Sequence, residues 1–237
     1  MIFVSLFSLS LSVWQFDRAK EKKLLFQKKI ERSKKTIQLS PNMMPTTDEE
    51  VQKLDQQLIK VSGNWINNST IYIDNRSYLG SPGVHVLSAF KISEFDSLIW
   101  VNRGWAKKLP GNIENIDNFI TGNVFNPTNN NLVEIHGVLQ SDLMKRMELT
   151  SSSKDLNNGN LWQNLSWSRL ENKVLNLRKE KKINMWPLIV WQSKPKGKEL
   201  NRVLPFIKND MQKHISYALQ WILISIVAIF FSWRLSK

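Results

Sequence analysis

From Tyr217 to Trp233 the chain reads "YALQWILISIVAIFFSW", a run without a single charge. A helix needs about 20 residues to cross the hydrocarbon core of a bilayer, with a tolerated range near 17 to 25. Starting at Ile215, this run reaches that length. Trp233 closes it with a ring suited to the membrane interface, and Arg234 and Lys237 follow. The run predicts a transmembrane helix over 214–233, with the tail 234–237 on the cytoplasmic side by the positive-inside rule. His214 stands at its mouth, a titratable and metal-capable side chain where an apolar helix begins.

The amino end is the second constraint. "MIFVSLFSLSLSVWQF", residues 1–16, is apolar but at the short limit of a span. It has no basic leader and no small-residue cleavage pattern, so it reads as a signal anchor rather than a signal peptide. The run Arg18 to Lys35, "RAKEKKLLFQKKIERSKK", follows directly. A bilayer gives such a run anionic head groups to meet, at about 1 kcal/mol per basic residue. The formal net charge is +13, but no nucleic-acid motif accompanies it, and a membrane surface accounts for it better than nucleic acid. There are no cysteines, which excludes disulfides, thiolate metal sites and cysteine nucleophiles.

Small residues recur at helical intervals in both apolar ends. Ser5, Ser8 and Ser12, with Gln15 near the same face, mark the first; Ala218, Ser225 and Ser232, with His214 and Trp221, mark the last. Helices in lipid pack through small residues that let backbones approach. The spacing predicts an antiparallel pair with Gln15 and His214 at the same end, and Ser8 and Ser225 as a cross-linkable pair.

Residues 17–213 lie between. Residues 17 to 38 are expected to continue the first helix until "SPNMMP" breaks it. "TTDEEVQKLDQQLIKV" reads as a helix, with Thr47 and Glu50 as a capping box and Val51, Leu54, Leu58 and Val61 on one face. "STIYID" and "VHVLSAF" are strand-like around the turn-rich "NRSYLGSPG". "LIWV", "EIHGVL" and "MWPLIVWQ" are further strands, "LWQNLSWSRLENKV" is helical, and "TGNVFNPTNNN" is loop. The fold class is a membrane α+β protein, with two transmembrane helices flanking a β-rich extracytoplasmic domain that has a few helices. The chain carries 10 tryptophans. Seven of them lie in the middle domain, and packing accounts for them better than a cofactor box does.

No P-loop, G-x-G-x-x-G, H-E-x-x-H or G-x-S-x-G is present, and no nucleophile–base pair is visible. The reading is that the protein is not an enzyme. His85 and His136 fall on strands, where a histidine is more often structural than catalytic. His214 differs, because an ionisable residue at membrane depth is a functional candidate by default. Tyr217, Ala218 and Trp221 share its helical face. Two readings stand on the residues alone: an interfacial histidine bonded to head groups or water, or an axial ligand of haem iron.

"HISYALQW" resembles the H-x-x-Y-A-x-Q-W signature of the surfeit locus protein one family (Shy one in yeast), assembly factors of cytochrome c oxidase. Three further blocks run in the family's order. "WQFDR", Trp14 to Arg18, is similar to its W-Q-x-x-R, and "VNRGW", Val101 to Trp105, to its V-N-R-G-W. "IDNRSYLGSPGVHVLSAF" is similar to a segment with Arg76, Gly80, Gly83 and His85. Departures are Ser12 for a glycine, Val84 for an aromatic, Ala89 for a proline and Ile222 for the signature's last aromatic. The resemblance implies an inner-membrane protein, bacterial or mitochondrial, with its large domain on the periplasmic or intermembrane side. It implies a role in forming oxidase subunit I, with haem a held through His214 and passed to that subunit. Tyr217, Gln220, Trp221, Trp14 and Gln15 would shape the pocket, and Arg18 or Arg103 would pair with haem propionates. Partners would be subunit I, haem a synthase, other oxidase assembly factors and the lipid bilayer. The competing expectation is a scaffold that stabilises nascent subunit I without touching haem.

Overall fold

The computed structural model describes residues 2–109, 132–144, 159–179, 182–195, 200–205, 207 and 209–235. The chain divides into two compact units: one of residues 1–31 and 206–237, the other of residues 32–205.

The second unit is built on an eight-stranded sheet. Its strands are β1 (Thr36–Gln38), β2 (Leu58–Trp65), β3 (Ile71–Ile73), β4 (Gly83–Ile92), β5 (Ser97–Lys107), β6 (Val133–Gln140), β7 (Leu161–Trp162) and β8 (Met185–Lys194). They lie in the order β1-β2-β6-β8-β5-β4-β3-β7. β2 also pairs with β4, Gly63 opposite Ile92 and Trp65 opposite Phe90. This second pairing closes β2, β6, β8, β5 and β4 into a ring. Gly63 permits the closure, since a Cβ there would stand 2.0 Å from the Lys91 carbonyl oxygen. Alternation along the strands fills the ring with Ile59, Val61, Phe90, Ile99, Val101, Ile135, Trp186 and Val190, all buried.

The outer face of β3, β4, β5 and β8 forms a second core with Ile71, Leu87, Trp100 and Ile189, covered by Leu170 and Val174 of the helix Trp167–Arg178. Ser166 caps that helix, its hydroxyl accepting from Arg169 N–H. The turn Tyr78–Ser81 has Leu79 and Gly80 at φ 48° and 76°, and its two ends exchange backbone hydrogen bonds at 3.0 Å. This is the two-residue hairpin turn whose twist matches the strands it joins.

Among the described residues there are four α-helices: α1 (Ile2–Arg32), α2 (Asp48–Leu54), α3 (Trp167–Arg178) and α4 (Met211–Leu235). Among the described residues α4 is the one helix long and apolar enough to cross a membrane. α1 is continuous, but its apolar stretch is broken by four serines and ends at Phe16, before Asp17 and Arg18.

Three expectations are corrected. The first helix does not reach residue 38, because Thr36–Gln38 pair in parallel with Leu58–Lys60. The helix from Thr46 is capped as expected, Glu50 and Thr47 bonding reciprocally, but ends at Leu54. Leu58 and Val61 lie on β2, where a paired edge outweighs a helical spacing that β-branched neighbours never favoured. Leu161 and Trp162 form a short strand, and the helix begins only at Trp167. Residues 121–131, expected as loop, lie outside the described residues.

Candidate functional site

In the first unit the buried residues are small and lie along one seam. Ser5, Ser8, Ser12 and Ala19 of α1 are buried, as are Ala218, Ser225 and Ala228 of α4. These positions step by three, four or seven residues, the repeat that keeps one helix face against another at a shallow crossing. The Ser225 hydroxyl donates to the Ser5 carbonyl at 3.1 Å, and the two serine Oγ atoms stand 2.8 Å apart. Further along, His214 Nδ1 lies 2.8 Å from Gln15 Oε1. One contact runs up α1 while the other runs down α4, so the helices are antiparallel, with Gln15 and His214 at one end. The register puts Ser12 level with Ala218 and Ser8 level with Trp221, a small residue facing each close approach. The serine that meets Ser225 is Ser5, not Ser8.

Around this seam the two helices turn apolar side chains outward. Phe3, Leu6, Phe7, Leu9 and Val13 are exposed on α1, and Leu219, Leu223, Ile226 and Phe230 on α4. His214, Gln15 and Trp221 are half-buried. Trp14 and Tyr217 are half exposed, at 51% and 50%, and Gln220 is exposed. Arg18 stands over the Trp14 ring at 5.7 Å and donates to Glu21 at 2.8 Å. The structure thus joins Gln15 to His214 and Trp14 to Arg18. At its half-buried position His214 offers two ring nitrogens, one of them engaged.

Arg103 belongs to the other unit, at a bulge in the β4–β5 pairing, with its guanidinium 5.5 Å over the Trp65 ring. A neighbour went unnoticed in the sequence. Arg202 follows Asn201, whose backbone bridges to Trp105. Its Nε and Nη1 are buried and find no acceptor among the described residues. Burial, and the charge of Arg103 beside it, pull Arg202 down to about 10. No motif around Arg202 marks it, because its environment is made by strand pairing.

The remaining sequence candidates are structural. Arg76 is buried and donates to the carbonyls of Asp74, Asn75, Met144 and Gln163, tying three segments together, while its own carbonyl accepts from Trp105 Nε1 at 2.6 Å. His85 is buried beside Asn102 at 3.3 Å and meets Trp191 edge to face. His136 bonds Glu134 at 3.0 Å. Glu134 is held below the usual carboxylate range by its bond from Lys60 and then by His136. Among the described residues no three His, Asp or Glu side chains group as a metal site.

The model of the SURF1 family matches residues 2–226. A SURF1-like protein of Rickettsia conorii is 28% identical, the match covering 95% of this chain and 86% of that protein. SURF1-like proteins of Rickettsia felis and Rickettsia prowazekii are 27% and 26% identical, over 95% and 93% of this chain and 91% and 81% of theirs.

Proposed function

Because the chain belongs to the SURF1 family, a membrane-associated family of oxidase assembly factors and not of catalysts, we propose that it assists haem-copper cytochrome c oxidase by holding haem a at His214 for insertion into subunit I. The observation that carries this reading is the His214–Gln15 contact. It sets an imidazole at one end of a helix pair whose outer surface is apolar.

The residues fit the group. A haem iron takes a neutral nitrogen, and the macrocycle takes flat apolar surface. His214 supplies the nitrogen. Trp14, Tyr217 and Trp221 supply aromatic surface on the same two helices, and Gln220 stands at the edge. Arg18 is the guanidinium nearest in sequence to this end and would pair with a propionate, in exchange for Glu21. When bound, haem a supplies the redox-active iron that the oxidase requires. The protein's own part is to bind, to orient and to keep water from the apolar face.

The same surface supports α1 as a second span. Over residues 3–13 its buried residues are serines and, apart from Ser10, its exposed ones are phenylalanine, leucine and valine, the sorting that lipid selects. With two spans over residues 1–16 and 214–233, residues 17–213 are translocated to the periplasmic or intermembrane side and 234–237 stay cytoplasmic. Subunit I is then the partner, with haem a synthase upstream.

The test is an absorption spectrum of the detergent-purified chain co-expressed with haem a synthesis enzymes. Wild type is expected to show Soret and α bands, and His214→Ala to lose them. A colourless wild type, given verified haem a synthesis, replaces the reading with a haem-independent scaffold for subunit I.

A further inference from the structure

A neutral imidazole has one N–H and one lone pair, and the hydrogen bond at one nitrogen decides which nitrogen keeps the lone pair. In the helix pair that bond is made across the seam. Gln15 Oε1 stands 2.8 Å from His214 Nδ1. An amide oxygen only accepts, so the proton sits on Nδ1 and Nε2 is bare. Among the described residues Nε2 meets no hydrogen-bonding partner. The neighbouring seam positions offer no rival to Gln15. Ala19 follows one turn along α1 and Ala218 one turn along α4, both buried, and neither side chain has a polar atom. Lys213, beside His214, is engaged with Asp210 at 3.3 Å.

We propose that Gln15 is a positioning residue: it locks His214 as the Nδ1–H tautomer and presents Nε2 as the donor to iron, and it does so with a neutral amide so that the ligand can let go. The first half follows from the geometry. The second follows from the chemistry of the acceptor. Outer-shell partners of a ligating histidine raise its basicity, and a carboxylate raises it more than a carbonyl. A resident haem is served by a firm ligand, whereas a carrier must surrender its cargo. A glutamine reaching across from a second helix also makes the ligand dependent on the pair, because His214 is set only while α1 and α4 are packed. The role toward iron rests on the reading of His214 as a haem ligand; the tautomer stands apart from it.

The experiment takes the full chain, free of haem, in detergent with 15N-labelled histidine, at about pH 8, above the ordinary imidazole range. A long-range 1H–15N correlation spectrum reports which ring nitrogen is protonated, and His214→Ala assigns the signal among three histidines. The expected wild-type pattern is protonated Nδ1 and bare Nε2. Gln15→Glu keeps it, because a carboxylate also accepts. Gln15→Leu loses it and gives a mixture or the reverse. Folding of each variant is checked by the disulfide that Ser5→Cys and Ser225→Cys form across the seam. A wild type protonated at Nε2, or a Gln15→Leu protein with an unchanged spectrum, overturns the proposal. Haem is then added to each. Gln15→Leu is expected to hold it about tenfold more weakly, and Gln15→Glu to release it to a haem scavenger more slowly than wild type. Equal release from wild type and Gln15→Glu overturns the argument for a neutral partner. If the Nδ1–H signal is intact and no protein binds haem, the haem reading fails while the tautomer assignment is supported.

Discussion

In the sheet unit Trp100, Trp186 and Phe90 have no exposed surface, while in the helix pair the fully covered side chains are Ser8, Ser12 and Ala218, and Phe3, Phe7 and Phe230 face outward. One chain therefore carries two opposite sortings. In water, burying a large side chain is worth roughly 1.5–3 kcal/mol, so the ring of strands closes on its bulkiest residues. In lipid that driving force between helices is missing. What remains is close packing and hydrogen bonding, which small hydroxyl-bearing residues serve best. The difference is the one that the proposed placement of the helix pair in lipid predicts, and it makes the polar Gln15–His214 pair stand out in a seam whose buried residues are serine and alanine.

The sharpest break of this contrast comes from removing bulk inside the ring. Trp186 is buried and donates from Nε1 to Ser97 at 3.0 Å. Trp186→Ala is expected to cost about 3–5 kcal/mol in guanidinium unfolding of the full chain in detergent, whereas Leu223→Ala, on the outward face of α4, should leave the midpoint unchanged. A similar loss at both positions would mean that the helix pair packs like a water-soluble core.

Adding bulk to the seam is next. Ser225→Leu fills the place where Ser5 approaches, and overpacking of this kind costs about 1–3 kcal/mol. Its readout is loss of the cross-link between cysteines placed at Ser12 and Ala218, with the sheet unit's fluorescence intact.

A third comparison sets two arginines of the sheet unit against each other. Arg76 has four carbonyl acceptors, and Arg76→Met leaves carbonyls without a donor, a loss of about 2–3 kcal/mol. Among the described residues Arg202 has two buried donor atoms without acceptors. Arg202→Met should stabilise by on the order of 1 kcal/mol, seen as a higher melting temperature. Equal losses for both would show that Arg202 has an acceptor the described residues do not supply.

The smallest effect lies at α2. Glu50 is held below the usual carboxylate range by the Thr46 backbone N–H, then the Thr46 hydroxyl, then Thr47. Its folded value is depressed, so its contribution is fully present above the unfolded value and is lost as pH falls through the folded one. Melting followed on acidification from neutral pH should show a small drop at the acid end that Glu50→Gln lacks.

The apolar run, the capping box, the strand alternation and the seam periodicity were legible in the sequence because each is a local pattern that a single element satisfies. So was His214, by its place at the edge of an apolar run. β1 and the start of β2 were misread because their identity rests on parallel pairing across twenty residues, which no local spacing encodes. The choice of Ser5 over Ser8 as the partner of Ser225 was equally hidden, since both lie on the same face and only the register of the two helices separates them.

By itself, then, the sequence determined the two apolar ends, the β-rich middle, the family and the candidate histidine. The tertiary structure alone decided that β2 pairs with β4 to close the ring, that Arg76 is a structural tie and that Gln15 meets His214 Nδ1. The physical reason is common to all three. Each is a contact between residues far apart in the chain, whose partners are chosen by packing and hydrogen-bond satisfaction after the elements have formed.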